Sequence, residues 1–441
     1  MPLDRRRFLV ATGMTVAGTA LARPASGAIP APSDPPPKAG ASPQDWTWVR
    51  EQFALRRDLA HFASFYLVSH PRPVREAIEA LRRALDENPF EVVEHGLFTR
   101  PGEVRRAAAA YLGGRPEDVG LTRATTEGLA LIYAGLRLRP GQEILTSTHD
   151  HYVHHEAIRL AVQRAGAEMR RVALYDEGSR AAEDEIVERL RRAVRPATRV
   201  IGVTWVHSST GVKLPIRSIA TAVAEINRSR DAADRMLLVV DGVHGFGVED
   251  EAAADLGCDF FAAGTHKWIF GPRGTAIVWG RREAWEQLQP SVPSFEEPPY
   301  MAWQHGVDPG PTQGAWMSPG GFHAYEHMWA LPAAFAFHHE IGRTRIAGRI
   351  HEMNTRIKDG LAGMRHVTLH TPRSPGLSAG LVAFEVAGLA PGEVVKRLRD
   401  RRIIASTSPY LQSFARLAGS ILNTPEEVDA AVAAVGALAP G

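Results

Sequence analysis

From about residue 119 the chain alternates short apolar runs with longer stretches whose apolar positions recur at helical spacing. The runs predict strands at Val119–Thr122, Glu143–Ser147, Glu168–Val172, Arg199–Val203, Met236–Asp241, Asp259–Ala263 and Thr275–Trp279. Between them, helices are predicted at Thr125–Gly135, Val153–Ala165, Ala182–Ala193 and Ile216–Arg228. Repeated strand–helix–strand units imply an α/β fold, with a mostly parallel seven-stranded sheet covered by helices on both faces. Upstream, Trp46–Asp58 and Pro73–Leu85 read as two further helices. Pro290–Pro319, rich in proline, glycine and aromatics, reads as a long crossing segment. Beyond it, His323–Leu361 is helical in pattern. Leu381–Val386, a helix over Pro391–Arg401, Ile403–Thr407, Ala415–Ile421 and a helix over Thr424–Leu438 then complete a smaller C-terminal α+β domain. Thr424-Pro-Glu-Glu427 marks the last helix start with a threonine cap, a first-turn proline and two acids facing the dipole.

Two predicted strands end on chemistry. Leu237-Leu-Val-Val-Asp-Gly-Val-His244 delivers a carboxylate, Asp241, to the carboxyl edge of the sheet. Asp259-Phe-Phe-Ala-Ala263 then delivers Thr265, His266 and Lys267 to a similar edge. Lysines after strands are mostly solvated. Lys267 instead lies between His266 and Trp268, ahead of Ile269 and Phe270, so its amine meets apolar walls. Desolvation lowers a lysine pKa from about 10.4 and frees the neutral amine. Such a pair suits pyridoxal 5′-phosphate (PLP): the amine forms the Schiff base, and the carboxylate keeps the pyridine nitrogen protonated.

Composition sets the context. The 441 residues suffice for a large domain plus a smaller one, and 44% apolar with 23% charged content is ordinary for a globular enzyme. A formal charge of +2 gives no reason to expect nucleic acid as a partner. The N-terminus differs from the rest: Arg5-Arg-Arg-Phe-Leu-Val10 precedes a small-residue apolar stretch to Ala22. This resembles a twin-arginine export signal over residues 1–28, with a basic arm or uncleaved anchor as the alternative. Residues 29–45, punctuated by prolines, read as an extended tether. Residues 46–322 then form the N-terminal arm and large domain, and residues 323–441 the small one. With the signal removed, no later run is long enough to span a bilayer. The protein is expected to be exported to the periplasm, or cytoplasmic if the signal does not function. A single cysteine, Cys258, rules out an intrachain disulfide.

Several motifs combine with the aspartate and lysine: Leu121-Thr-Arg-Ala-Thr-Thr-Glu-Gly128, Thr148-His-Asp-His-Tyr152, Trp205-Val-His-Ser-Ser-Thr-Gly211 and Arg416-Leu-Ala-Gly-Ser-Ile-Leu-Asn-Thr424. Together, over roughly residues 60–435, they resemble the class V aminotransferase family of fold-type I PLP enzymes, in its isopenicillin N epimerase-like and cysteine desulfurase-like branch. Thr125 and Thr126 open a helix directly after a strand, a phosphate site or a plain N-cap. The resemblance adds His266, and less firmly Thr265, to the phosphate; His266 could equally be a core histidine bonded to a carbonyl. It also implies that His151 stacks on the pyridine, with His149 as the other candidate. His151 and His155 lie one helical turn apart, but no carboxylate ligand set accompanies them and no metal is expected. By the same resemblance Asp241 partners the pyridine nitrogen and His244 the phenolic oxygen, while Ser208 stands where the desulfurases have asparagine. Arg416 matches an arginine that clamps the substrate carboxylate, and Ser318 a residue that reaches the phosphate of a neighbouring subunit, implying a homodimer.

One departure matters. Desulfurases carry a nucleophilic cysteine shortly before the carboxylate-binding arginine, and this chain has none between Leu381 and Arg416. The expected activity is therefore that of a PLP-dependent enzyme acting on an amino acid through Lys267 and loss of the Cα proton, an aminotransferase or an epimerase. A cysteine-independent C–S lyase and a non-catalytic exported binding protein are the alternatives.

Overall fold

The computed structural model describes residues 42–438. The expected signal over 1–28 and most of the tether lie outside the described residues. Seven strands form the large sheet: β1 (Val119–Thr122), β2 (Glu143–Ser147), β3 (Glu168–Val172), β4 (Thr198–Thr204), β5 (Leu237–Asp241), β6 (Phe260–Gly264) and β7 (Ala276–Gly280). Their order is β1-β7-β6-β5-β4-β2-β3. β3, β2, β4, β5 and β6 pair in parallel, and β7 runs antiparallel to both of its neighbours.

Period-two alternation divides the buried side chains between two faces. Leu145, Ile201, Leu238, Val240 and Phe261 pack into one core, and Ile144, Val200, Val239, Phe260 and Ala262 into the other. Burial on both faces explains why these strands read as continuous apolar runs. It also leaves the carboxyl edge, where five successive connections begin, as the place for polar groups.

The second sheet is antiparallel. β8 (Val367–Leu369), β9 (Val382–Val386), β10 (Ser406–Thr407) and β11 (Ala415–Leu417) lie in the order β10-β11-β9-β8. Helices Arg343–Ala362, Pro391–Asp400 and Pro425–Gly436 complete its core with Ile357, Leu398 and Val428. The last helix carries the capping box its sequence announces: the Thr424 hydroxyl accepts from Glu427 N, and Glu427 accepts from Thr424 N. Such a cap contributes about 1 kcal/mol. Ala60–His61 pairs in parallel with Ile403–Ile404, which ties the N-terminal arm to this region.

Several boundaries differ from expectation for visible reasons. The helix expected over Trp46–Asp58 stops at Glu51. The helical stretch from His323 divides into Tyr325–Met328, Leu331–Ile341 and Arg343–Ala362. Its main break is Gly342, whose φ of 96° lies where other side chains are strained. The crossing segment contains a helix, Glu297–His305, with a proline in its first turn. Two helices that the pattern did not isolate, Pro89–Gly96 and Arg100–Leu112, precede β1. Among the described residues no helix is long and apolar enough to cross a membrane.

Candidate active site

The connections after β1, β2, β4, β5 and β6 converge on one cavity of about 280 Å³ at the carboxyl edge. Asp241 and Lys267 both line it. Asp241 is the last residue of β5 and is buried; its Oδ1 accepts from Val243 N at 3.1 Å. Lys267 follows β6, with Nζ 3.3 Å from His244 Nε2. Burial pushes the Asp241 carboxyl up and the Lys267 ammonium down, while the attraction between the two opposes both shifts. Lys267 is further lowered by the Arg416 guanidinium.

Thr125 and Thr126 line the same cavity at the start of helix Thr125–Gly135. The Thr125 hydroxyl oxygen accepts from Gly264 N at 2.8 Å, locking the helix start to the end of β6. No side chain caps this helix, so its first-turn N–H groups are left for an anion. His266 lines the cavity while its Nδ1 donates to Thr275 O at 3.4 Å, so the core-histidine contact and the cavity position coexist. Thr265 lies apart: it is fully buried and its hydroxyl bonds to Thr275.

His151 faces the cavity as N-cap of helix Tyr152–Ala165, with Nδ1 accepting from Val153 N at 3.4 Å. Burial, with Lys267 and Arg416 nearby, lowers its pKa. Its loop is held by Asp150, whose carboxylate accepts from Ser147 N (2.9 Å), Thr146 Oγ1 (2.9 Å) and Thr204 N (2.7 Å). His149 turns away and stacks on Tyr175, with centroids 3.8 Å apart and planes 4° from parallel.

Arg416, on β11, brings the second sheet to the site. It is 3% exposed, donating from Nη1 to Ser208 O and from Nη2 to Thr407 O, both at 2.7 Å. Its Nε is buried with no partner. Burial lowers its pKa to about 10. A buried guanidinium with an unmet N–H and no carboxylate beside it is built to receive an anion. Ser208 Oγ lies 2.8 Å from the Tyr410 hydroxyl. Ser318 does not reach this cavity within one chain; it accepts from Leu121 N and lines a separate cavity with Phe295 and Trp329.

Residues 95–430 match the family described as aminotransferase class-V. The chain belongs to that family. It is a fold-type I PLP-dependent enzyme related to isopenicillin N epimerase and cysteine desulfurase. It is 29% identical over 410 residues to the isopenicillin N epimerase of Streptomyces clavuligerus, covering 89% of this chain and 98% of that one. It is 24% identical over 381 residues to a cysteine desulfurase of Klebsiella pneumoniae, covering 81% and 89%. The fold matches a cystine C–S lyase solved with its product cysteine persulfide, with a TM-score of 0.76 at 22% identity, over 87% of this chain and 99% of that one.

The residues present fit the family's cofactor. The uncapped helix start is suited to the phosphate, Lys267 and Asp241 face the cavity together, and a Cβ on Gly264 would come within 2.7 Å of the His266 ring, so a larger residue there would displace that histidine. Among the described lysines only Lys267 faces this space. Lys213 pairs with Glu249, Lys358 is clasped by Pro372 O, Arg373 O and Ser378, and Lys396 lies at the surface beside Glu393. Cys258 is remote and fully buried, and burial pushes its thiol up to about 12.

Sequence reasoning missed Phe65 and Tyr66, which line the cavity from the N-terminal arm, and Tyr410. An aromatic on an irregular segment far from the motifs carries no periodic signal. A longer groove of about 840 Å³ opens near Arg199, Arg217 and Arg281, around the start of β5, and includes neither Asp241 nor Lys267.

Proposed function

We propose that this enzyme is a C–S lyase that removes a sulfur substituent from Cβ of an α-amino acid without a persulfide-forming cysteine. The observation that carries the reading is a cavity lined by both Lys267 and Arg416, with Cys258 shut away in the core. Lys267 is the group whose amine is drawn toward neutrality, Tyr410 keeps its proton up to about 12, and His151 and His244 are both pushed down. Lys267 is placed to take the Cα proton, and no cysteine lines the cavity to form a persulfide, which favours direct loss of the sulfur substituent.

Bound PLP supplies an electron sink at the substrate's Cα. The Arg416 fork holds the α-carboxylate, which orients the Cα–H bond toward Lys267 Nζ. Lys267 takes that proton, and its electron pair becomes the Cα–Cβ double bond. The Cβ–S pair leaves with sulfur, which takes a proton from solvent. A thiol with a free pKa of about 8.5 is a competent leaving group without a strong acid. Water then releases the keto acid and ammonia. Cys258, locked in the core, has no part in this route. The relatives' names also move weight from simple transamination toward sulfur chemistry.

A second reading is epimerisation, favoured by the nearly full-length similarity to isopenicillin N epimerases. On that reading His151 returns the proton. Incubation with sulfur-bearing amino acids in D₂O separates the two: keto acid, ammonia and a sulfur product mark the lyase, and an inverted, Cα-deuterated amino acid marks the epimerase. Recovery of the keto acid with its sulfur substituent intact would overturn both. The reading includes a homodimer, supported by exposed Trp303 in the crossing segment that also holds Ser318 and by exposed Phe322 just beyond it. It includes export, supported by the twin-arginine pattern.

A further inference from the structure

His244 is held between two nitrogens whose roles chemistry restricts. The Trp268 indole Nε1–H, which can only donate, lies 3.4 Å from His244 Nδ1. His244 Nε2 lies 3.3 Å from Lys267 Nζ. A neutral imidazole that accepts at Nδ1 carries its one proton on Nε2. His244 therefore turns an N–H toward the lysine nitrogen. An ammonium there would oppose donor to donor, whereas a neutral amine offers its lone pair. We propose that Trp268 fixes the tautomer of His244, and that the imidazole N–H in turn selects the neutral amine of Lys267. Trp268 and His244 are then positioning residues for the base.

The packing holds this arrangement in place. Trp268 and His244 are both buried, and Phe65 stacks on Trp268 (centroids 6.4 Å, planes 21°) while meeting His244 edge-on at 5.8 Å. Gly380 makes room for the indole, since a Cβ there would come within 2.6 Å of its ring. Other charged and titratable groups also face Lys267. Asp241 favours the ammonium, Arg416 opposes it, and His151 and His266 stand near enough to be lowered by the lysine's charge. Burial together with Lys267 and Arg416 keeps His244 from becoming an imidazolium. The Trp268–His244 contact adds a directional preference to these isotropic effects.

The proposal rests on Lys267 being the reactive lysine and not on which bond is broken afterwards. NMR of the ¹⁵N-histidine-labelled full chain, with and without PLP, reads the tautomer directly. The expected result is an Nε2–H signal for His244 across about pH 6 to 8. An Nδ1–H tautomer or an imidazolium in the unsubstituted protein overturns the proposal, whatever any variant does. The second readout is the pH dependence of the rate at which the PLP-stripped full chain captures added PLP. His244→Leu is expected to move the midpoint up by about one unit. His244→Gln, whose amide can accept from the indole and donate to the amine, is expected to hold it. An unmoved midpoint in His244→Leu overturns the proposal. Failure of the lysine reading itself looks different: capture is lost with Lys267→Ala if that reading is right, and retained if it is wrong.

Discussion

Arg416→Gln isolates what the buried guanidinium does. In the free protein the arginine is 3% exposed, gives one bond each to Ser208 O and Thr407 O, and leaves Nε unmet. In the proposed reaction a substrate carboxylate would supply the missing partner. Glutamine retains a donor for one of the two carbonyls and removes both the charge and the fork. Losing a charge-assisted, bidentate contact in a desolvated site costs about 3–4 kcal/mol. At about 1.4 kcal/mol per decade, kcat/KM should fall about 10²- to 10³-fold. The stability effect is much smaller because two changes oppose each other. One strand carbonyl loses a partner, at about 1–3 kcal/mol, while an uncompensated buried charge is relieved. The assay pairs steady-state keto-acid release with a thermal melt and the visible spectrum of the bound cofactor. The expected outcome is a collapsed kcat/KM with Tm within a few degrees and the spectrum intact. A kcat/KM within about threefold of the unsubstituted enzyme would refute the assignment of Arg416 to the carboxylate.

Asp241→Asn should lower kcat by roughly 10²–10³-fold, the scale of losing one fixed electrostatic contact to a reacting centre; retained kcat removes Asp241 from the chemistry. Cys258→Ala should leave the turnover of a sulfur-bearing substrate unchanged and cost about 1 kcal/mol of stability through lost packing; loss of sulfur release with the fold intact would restore a persulfide route. His207 and His338, both buried, are lowered to about 3 against an ordinary value of 6.5. The unfolded chain therefore binds more protons than the folded one below about pH 6.5, and stability falls as pH drops through that window toward 3. A Tm unchanged between about pH 7 and 4 contradicts this. Light scattering on the purified chain should give the mass of a dimer, and a monomer with full activity would remove Ser318 from any shared site.

The sheet was legible because burial on both faces makes each strand a continuous apolar run, and because the strand ends carry chemistry that solvated loops rarely do. β5 and β6 illustrate this: Asp241 and Lys267 stand out against their apolar neighbours in the sequence and meet in one cavity in the fold. Arg416 needed more. It lies among many arginines in composition, and only the motif that follows it, Leu417 to Thr424, marks it. Its unmet Nε is a tertiary fact, set by Ser208 and Thr407 from other segments. Phe65, Tyr66 and Tyr410 reach the site from irregular backbone, where neither periodicity nor capping gives a signal. Which of His149 and His151 faces the cavity likewise turned on packing: Tyr175 takes up the first, and the second lines the cavity as a helix N-cap. The helix in the crossing segment was hidden because proline, which usually reads as a breaker, sits in its first turn.

The central claim is that Lys267 carries the cofactor. Borohydride reduction of the PLP-loaded full chain, followed by peptide mass spectrometry, tests it most directly. The account predicts the cofactor's added mass on the peptide containing Gly264-Thr-His-Lys267 and on no peptide bearing Lys213, Lys358 or Lys396. Label on one of those lysines, or none under conditions where free PLP is reduced, contradicts it.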